Sequence, residues 1–504
     1  MSKRSRLVSL LALTIASPAL AQPAPDPNAP PATPPATPPA TPTEPTPPAT
    51  GSVSEPVVTP TVSNPPNAPT PPIGEQPAEP PKVEPKKDDK PPPPVHSKWD
   101  ATLYGFAELD AIWDSTQGFG ELAGGAPIAR PGTYAGDHGQ TTFTPRNSRI
   151  GFKLAAPEVN DIKASAQLEM DFLGNQPPGI SESSLYGNAT FRIRHMNVKM
   201  ETPYVDILAG QYWNLFGWQS LFQPNTVAIQ GIPGELYSRV AQVRIGKVIE
   251  GGGVDVELQS AANRPAERAS QTPDGVAAIK IMLPGVKAWH TAGSTGSSLD
   301  SAALGVSVIG RRFTPPELSA TPGKQVAKNG YGIAVDALIP VVPATKKSHA
   351  GALTLNGEFV YSAGVADQYT GFSGGVANPT LPNPSMANPA PTYTTVLDGG
   401  LALFSPDGTL HPIQWTSILG GAQFYINDQW WIAANYSHMS SGNAHLFGAA
   451  TKVFDTSNWA DANVMVDLTP AVRLGVEYSW FNQTYVDMKD ATDHRVQGSF
   501  FFIF

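Results

Sequence analysis

The stretch His494-Arg-Val-Gln-Gly-Ser-Phe-Phe-Phe-Ile-Phe504 decides how this chain is read. At a period of two, Val496, Gly498, Phe500, Phe502 and Phe504 fall on one face, and Arg495, Gln497 and Ser499 begin the other. Successive side chains of a strand point to opposite faces, so this is a strand pattern. A soluble sheet would bury the aromatic face in a core. A strand of an outer-membrane barrel turns that face to lipid and its polar face to a wet lumen.

The preceding sequence favours the barrel. From Lys98 onward, segments of about ten alternating residues are separated by turns and loops. In the cleanest, Ile162, Ala164, Ala166, Leu168, Met170 and Phe172 alternate with Lys163, Ser165, Gln167, Glu169 and Asp171. A helix would need apolar residues three and four apart. The periodicity predicts strands near 98–114, 146–156, 161–173, 188–201, 204–211, 239–248, 253–262, 274–283, 301–313, 330–340, 349–362, 413–426, 429–440, 457–467, 471–484 and 493–504. That makes an all-β, transmembrane antiparallel β-barrel of 16 strands, and an even number puts both ends on the periplasmic side. Short turns such as Thr202-Pro203 and Asn427-Asp428 then occupy the periplasmic slots. The long loops 115–145, 212–238 and 363–412 occupy the outer ones. Residues 284–300 are long for the periplasmic slot they fall in.

The first 97 residues read differently. Residues 1–21 have a basic start (Lys3, Arg4, Arg6), an apolar run and a small-residue end at Ala19-Leu-Ala21, the layout of a secretory signal. Residues 22–97 hold 28 of the 54 prolines and no Phe, Trp or Tyr. Each proline fixes φ and removes a donor, so neither helix nor sheet propagates. A disordered, extended periplasmic arm is expected, since little apolar surface offsets its chain entropy. It is a tether, or a contact to peptidoglycan or an envelope protein. The barrel domain is 98–504.

Composition excludes several functions. The net charge of −9 and pI of 5.5 disfavour nucleic acid. Cysteine is absent, compatible with an exported protein needing no disulfides. After the leader no stretch of about 20 apolar residues occurs, so a membrane-spanning fold must be a closed barrel. The nine His residues show no metal-ligand spacing, and nucleotide motifs are missing, so no metal or cofactor is expected.

The inward faces carry ordered charge. Descending strands carry Arg149, Lys153, Arg192, Arg194, Arg244, Lys280 and Arg495. Ascending strands carry Glu108, Asp110, Glu169 and Asp171, among others. Neighbouring strands would then face each other with opposite charge. Either these ions neutralise one another, or a basic cluster of Arg149, Arg192, Arg194 and Arg244 guides anions. The loop Tyr212–Ser238 is too apolar for an exposed surface. Folding inward, it would bury Trp213, Phe216, Trp218, Leu221 and Phe222 and bring Glu235 to the lumen. A subunit contact is the competing use of those residues.

Three stretches carry a family resemblance: Leu103-Tyr-Gly-Phe-Ala-Glu-Leu-Asp110, Arg146-Asn-Ser-Arg-Ile-Gly-Phe-Lys153 and Leu208-Ala-Gly-Gln-Tyr-Trp213. With them the barrel resembles the general porins, and within that group the DcaP-like porins. Phe500, Phe502 and Phe504 resemble the C-terminal assembly signal of such barrels. The resemblance implies a homotrimer in the outer membrane of a Gram-negative bacterium, among lipid and lipopolysaccharide, inserted by the barrel assembly machinery. It implies passive diffusion of small, often anionic solutes such as dicarboxylates, and no catalysis. The family's helical N-terminal segment is replaced here by the proline-rich arm.

Two alternatives compete. Tyr436-Ser-His438-Met-Ser440 places a His and a Ser on one face, resembling outer-membrane lipid acyl hydrolases. The residue after Ser440 is Ser441, where those enzymes carry Asn. A structural barrel tethering the outer membrane to the cell wall is the third reading.

Overall fold

The computed structural model describes residues 99–124, 127–174, 190–218, 224–226, 232–267, 270–317, 322–369, 400–405, 407–447, 454–486 and 490–504. The leader and the arm, with Leu221 and Phe222, lie outside the described residues.

Among the described residues, sixteen antiparallel strands form one closed sheet. They are β1 (Asp100–Asp114), β2 in two pieces (Gln140–Thr144 and Arg149–Ala155), β3 (Lys163–Asp171), β4 (Arg192–Glu201), β5 (Asp206–Trp213) and β6 (Arg239–Gly251). There follow β7 (Val254–Asn263), β8 (Asp274–Ala292), β9 (Gly296–Phe313), β10 (Lys328–Val342) and β11 (Leu353–Ala363). The last are β12 (Gln414–Tyr425), β13 (Trp430–Ser441), β14 (Phe454–Thr469), β15 (Val472–Tyr485) and β16 (Asp490–Ile503). Each pairs with its neighbours in sequence, and β1 pairs with β16 from Phe106↔Ile503 to Asp114↔Arg495. Phe504 completes the seam by exchanging backbone hydrogen bonds with Gly105, at 2.9 and 3.0 Å. No edge is left open, which a bilayer would not tolerate.

The alternation holds around the ring. Leu103, Leu109 and Trp113 of β1 are exposed on the lipid face, as are Phe500, Phe502 and Phe504. Phe501 is fully buried on the inner face, edge-on to Phe106 at 6.2 Å. Three departures from even alternation matter. β2 is broken at Pro145-Arg-Asn-Ser148, where a proline cannot donate to the ladder, and its outer piece starts at Gln140, earlier than the sequence suggested. In β4 the register slips beside Glu169, which pairs with His195 while Met170 pairs with Ile193. The bulge keeps Arg192 and Arg194 on the inner face and puts Asn197 there too, although the parity changes between them.

The third departure is the β8–β9 connection. Residues 284–300 form no long turn. The strands run on as a hairpin, paired from Lys287↔Ser301 to Ala292↔Gly296, with Gly293 in the left-handed region (φ 65°) at its tip. The pairing breaks at Pro284-Gly-Val286, and beyond that break the hairpin crosses the bore. Its Thr291 amide donates to Gln423 Oε1 of β12 at 2.9 Å, and its Trp289 carbonyl accepts from Thr354 Oγ1 of β11 at 2.8 Å. Its Ser294 carbonyl accepts from Arg473 of β15. By contrast β6 and β7 meet at Gly252-Gly253, both at positive φ, which suits a two-residue hairpin turn.

The apolar core lies inside the ring. Trp415, Trp431 and Trp459 are fully buried on inner faces. One cluster joins Phe216, Ile232 and Leu236 of the long loop to Trp415, Met439, Trp459 and Phe481 of the wall. A second packs Trp289 and Leu299 of the hairpin against Tyr425, Trp431 and Met465.

Candidate functional site

A loop folded into a bore must find acceptors for its backbone amides away from bulk water. The loop after β5 finds them on the wall. Gly217 N donates to Ser307 Oγ of β9 at 2.8 Å, and Leu236 N to Glu358 Oε1 of β11 at 2.9 Å. Thr226 N donates to Glu477 Oε2 of β15 at 2.9 Å. Asn463 and Asn435 donate to the Pro224 carbonyl at 2.9 and 3.2 Å. Phe216 lies so close to β10 that a Cβ on Gly332 would be 2.6 Å from its ring. Trp213 remains on the wall at the end of β5, and Phe216 and Trp218 go inward with the loop.

This has a consequence for charge. Asp336, Glu358, Asp461 and Glu477, all inner-face carboxylates on β10, β11, β14 and β15, are buried, and Asp336, Glu358 and Glu477 accept hydrogen bonds from backbone amides of the loop. Glu235 is buried within the loop and accepts from its own Ile232 amide at 2.9 Å, so it braces the loop. The acidic half of the wall is therefore covered.

The opposite half is open. Two cavities of about 810 and 720 Å³ share Lys153, Gln167, Tyr212, Trp213, Trp218 and Lys280, and so adjoin each other along this wall. Arg244 lines the first; Arg149 and Arg194 line the second. Here cations are partly paired. Arg194 reaches Glu169 at 2.7 Å and Asp171 at 3.1 Å. Arg149 is 3.5 Å from Glu169, and Arg192 is 2.7 Å from Asp171. Three guanidinium groups thus share two carboxylates. Lys280 pairs with Glu257 at 2.6 Å. Among the described residues no carboxylate forms an ion pair with Lys153 or Arg244. The first stands 4.9 Å over the Tyr104 ring, and the second bonds Gln242 at 3.0 Å and lies 5.7 Å from Tyr212.

Arg239, absent from the sequence-based set, stacks on Trp213 at 4.8 Å and Tyr237 at 5.4 Å. Aromatic faces hold cations by their ring quadrupole, an attraction worth about 0.5–2 kcal/mol. Stacking on Trp213, Tyr212 and Tyr104 could not be read from residue type, because it depends on strands brought together by register. Tyr237 is carried by the loop. Burial opposes its ionisation, but Arg194, Arg239 and Arg149 around it outweigh that and lower its pKa.

Other expected site residues serve the frame. Arg495 is buried, pairs with Asp114 at 2.6 Å and donates to the Gly120 carbonyl at 2.9 Å, so it ties down the first long loop. Asp110 is buried between Asn147 and Ser499, and Glu108 is buried beside it on the inner face. His438 and Ser440 lie on the outer face, and no hydrogen bond joins them; His438 Nδ1 bonds Asn458 Oδ1 at 2.7 Å. Among the described residues no group of three or more His, Cys, Asp or Glu could hold a metal ion.

No protein-family model matches the sequence, and no curated protein matches it. Solved structures do. The outer-membrane channel DcaP of Acinetobacter baumannii superposes with a TM-score of 0.58 at 17% identity, covering 81% of this chain and 97% of that one. The anion-selective porin from Comamonas acidovorans matches at 0.47 and 10% identity, over 81% and 100% of the two chains. Salmonella typhi OmpF matches at 0.47 and 10% identity, over 80% and 97%. The chain has the fold of the outer-membrane porins, a closed barrel of sixteen strands similar in structure to DcaP.

Proposed function

We propose that this protein is an outer-membrane porin through which small hydrophilic solutes diffuse passively, with a preference for anions of the dicarboxylate type. One observation carries the proposal: the loop covers the acidic half of the wall and leaves a passage whose cations outnumber the carboxylates paired with them. A surplus of one sign at the narrow part of a water-filled bore favours the opposite ion. Arg149, Lys153, Arg194, Arg244 and Lys280 are the guiding residues. Residues 1–21 are a cleaved leader, the turn end of the barrel faces the periplasm, and 22–97 are a periplasmic tether to the envelope. Three copies assemble, each with its own bore.

Planar-bilayer recording across a salt gradient tests this. Discrete conductance steps with a reversal potential of anionic sign are expected. Absence of steps would remove the porin reading; a cationic sign would remove the anion preference alone. His438 bonds Asn458 and not Ser440, which favours a channel over a lipid acyl hydrolase. Purified protein should leave phospholipid intact, and hydrolysis abolished by Ser440→Ala would reverse that judgement.

A further inference from the structure

Several outer segments enter the bore with the long loop, among them Phe119 and Ile128 of the first long loop. The hairpin Lys287–Ser301 enters from the opposite end of the barrel. Thr291 and Ser294 are completely buried, held by Gln423 and Arg473 on the far wall. At its base Trp289 stacks on His349 at 4.3 Å, with ring planes 9° apart. This is a fixed element: its backbone is bonded to three separate strands, and its apolar side chains sit in a buried cluster. Its tip, including Gly293, Thr295 and Ser297, shares the 720 Å³ cavity with Arg149, Lys153 and Arg194.

The hairpin also brings a charge. Asp300 lines the same cavity, its side chain 43% exposed, 3.5 Å from His290 Nδ1 and 2.5 Å from Ser298 Oγ. Among the described residues two carboxylates line this cavity: Glu169, which lies among the arginines, and Asp300, which the hairpin brings to it. Lys287, on the hairpin too, turns to Ser301 Oγ at 2.9 Å.

Resting on the porin reading above, we infer that the β8–β9 hairpin is a second, turn-end constriction whose Asp300 limits anion preference by opposing Arg149 and Lys153. Solutes leaving the arginine wall must pass between that wall and the hairpin tip. An anion passing there meets attraction on one side and repulsion on the other. A small dianion is therefore held less tightly than the arginines alone would hold it, and it can leave.

Two bilayer measurements test this. Asp300→Asn should raise the anion-over-cation permeability ratio by about twofold or more, because it removes one exposed charge from a confined path. It leaves the buried contacts of the hairpin in place. An unchanged ratio would overturn the role of Asp300. The chain has no cysteine, so Ser297→Cys introduces a single thiol at the tip. Its complete modification by a charged methanethiosulfonate, verified by mass, should lower single-channel conductance by about a third or more. The same treatment of Tyr134→Cys, on an exposed loop, should change nothing. Full modification at 297 with unchanged conductance would overturn the constriction. Channels that open normally with both measurements flat sink the hairpin inference alone; no channels at all sink the porin reading and this inference together.

Discussion

The Lys280 ammonium lies 4.8 Å over the ring of Trp218 while its other side holds Glu257 at 2.6 Å. Trp218 in turn packs against the buried cluster of Ala288, at the base of the hairpin, and Leu338 of β10. A strand, the long loop and the hairpin thus meet at one indole. Trp218→Ala should widen the passage and free Lys280 to swing. Single-channel conductance is expected to rise by about half or more, measurable in bilayers at fixed salt.

Lys153 and Arg244 differ from Arg194 in what their loss leaves behind. Among the described residues neither holds a carboxylate in an ion pair, so Lys153→Gln and Arg244→Gln should lower anion preference with little loss of stability. Arg194 is buried between Glu169 and Asp171. Removing one partner of a buried ion pair costs about 3–5 kcal/mol, because a charge stays behind unpaired. Arg194→Gln should therefore lower the temperature at which the folded band is lost on a detergent gel, and the other two should not.

Gly332 is small because Phe216 needs the space. Gly332→Leu should push Phe216, and with it the long loop, off the β10–β11 wall. A larger, noisier conductance is expected, with partial loss of ion selectivity as the covered carboxylates become wet. Unchanged conductance would mean that the loop finds another seat.

Asp428 sits in the turn between β12 and β13. Hydrogen bonds from the His349 amide and the Ser348 hydroxyl hold its carboxyl below the ordinary carboxylate range. A carboxyl whose folded pKa is depressed contributes stability above its unfolded pKa, and that contribution is lost as pH falls through the folded value. Asp428→Asn should thus be less stable than the parent at neutral pH, and the difference should shrink toward zero in strong acid. Denaturant titrations at several pH values check this.

The wall was legible from period two alone. Each of the sixteen expected strands is present, although β2 begins earlier and β8 and β9 run on past their expected ends, and the acid–base facing of neighbours appears in Lys280–Glu257 and Arg495–Asp114. The inward loop was legible because Phe216 and Trp218 are too apolar for water. The hairpin was not. Ala288, Trp289, His290 and Thr291 touch protein on both faces, so burial does not alternate along them and the strand signal fades. The bulge at Arg194–His195 was hidden because it belongs to the pairing of two strands. Arg239 does not stand out in the sequence because its partners, Trp213 and Tyr237, are set by register and loop path.

The three tryptophans buried inside the ring give this protein two separate reasons to stay folded. Its outer surface is satisfied by any sufficiently oily medium, whether membrane or micelle. Its inner half is held as a water-soluble globule is, by excluding solvent from Trp415, Trp431 and Trp459. Urea should therefore act on it even with the detergent belt intact. It should melt the interior before the ring opens, and the indole emission should redden while the far-ultraviolet signal of the sheet persists.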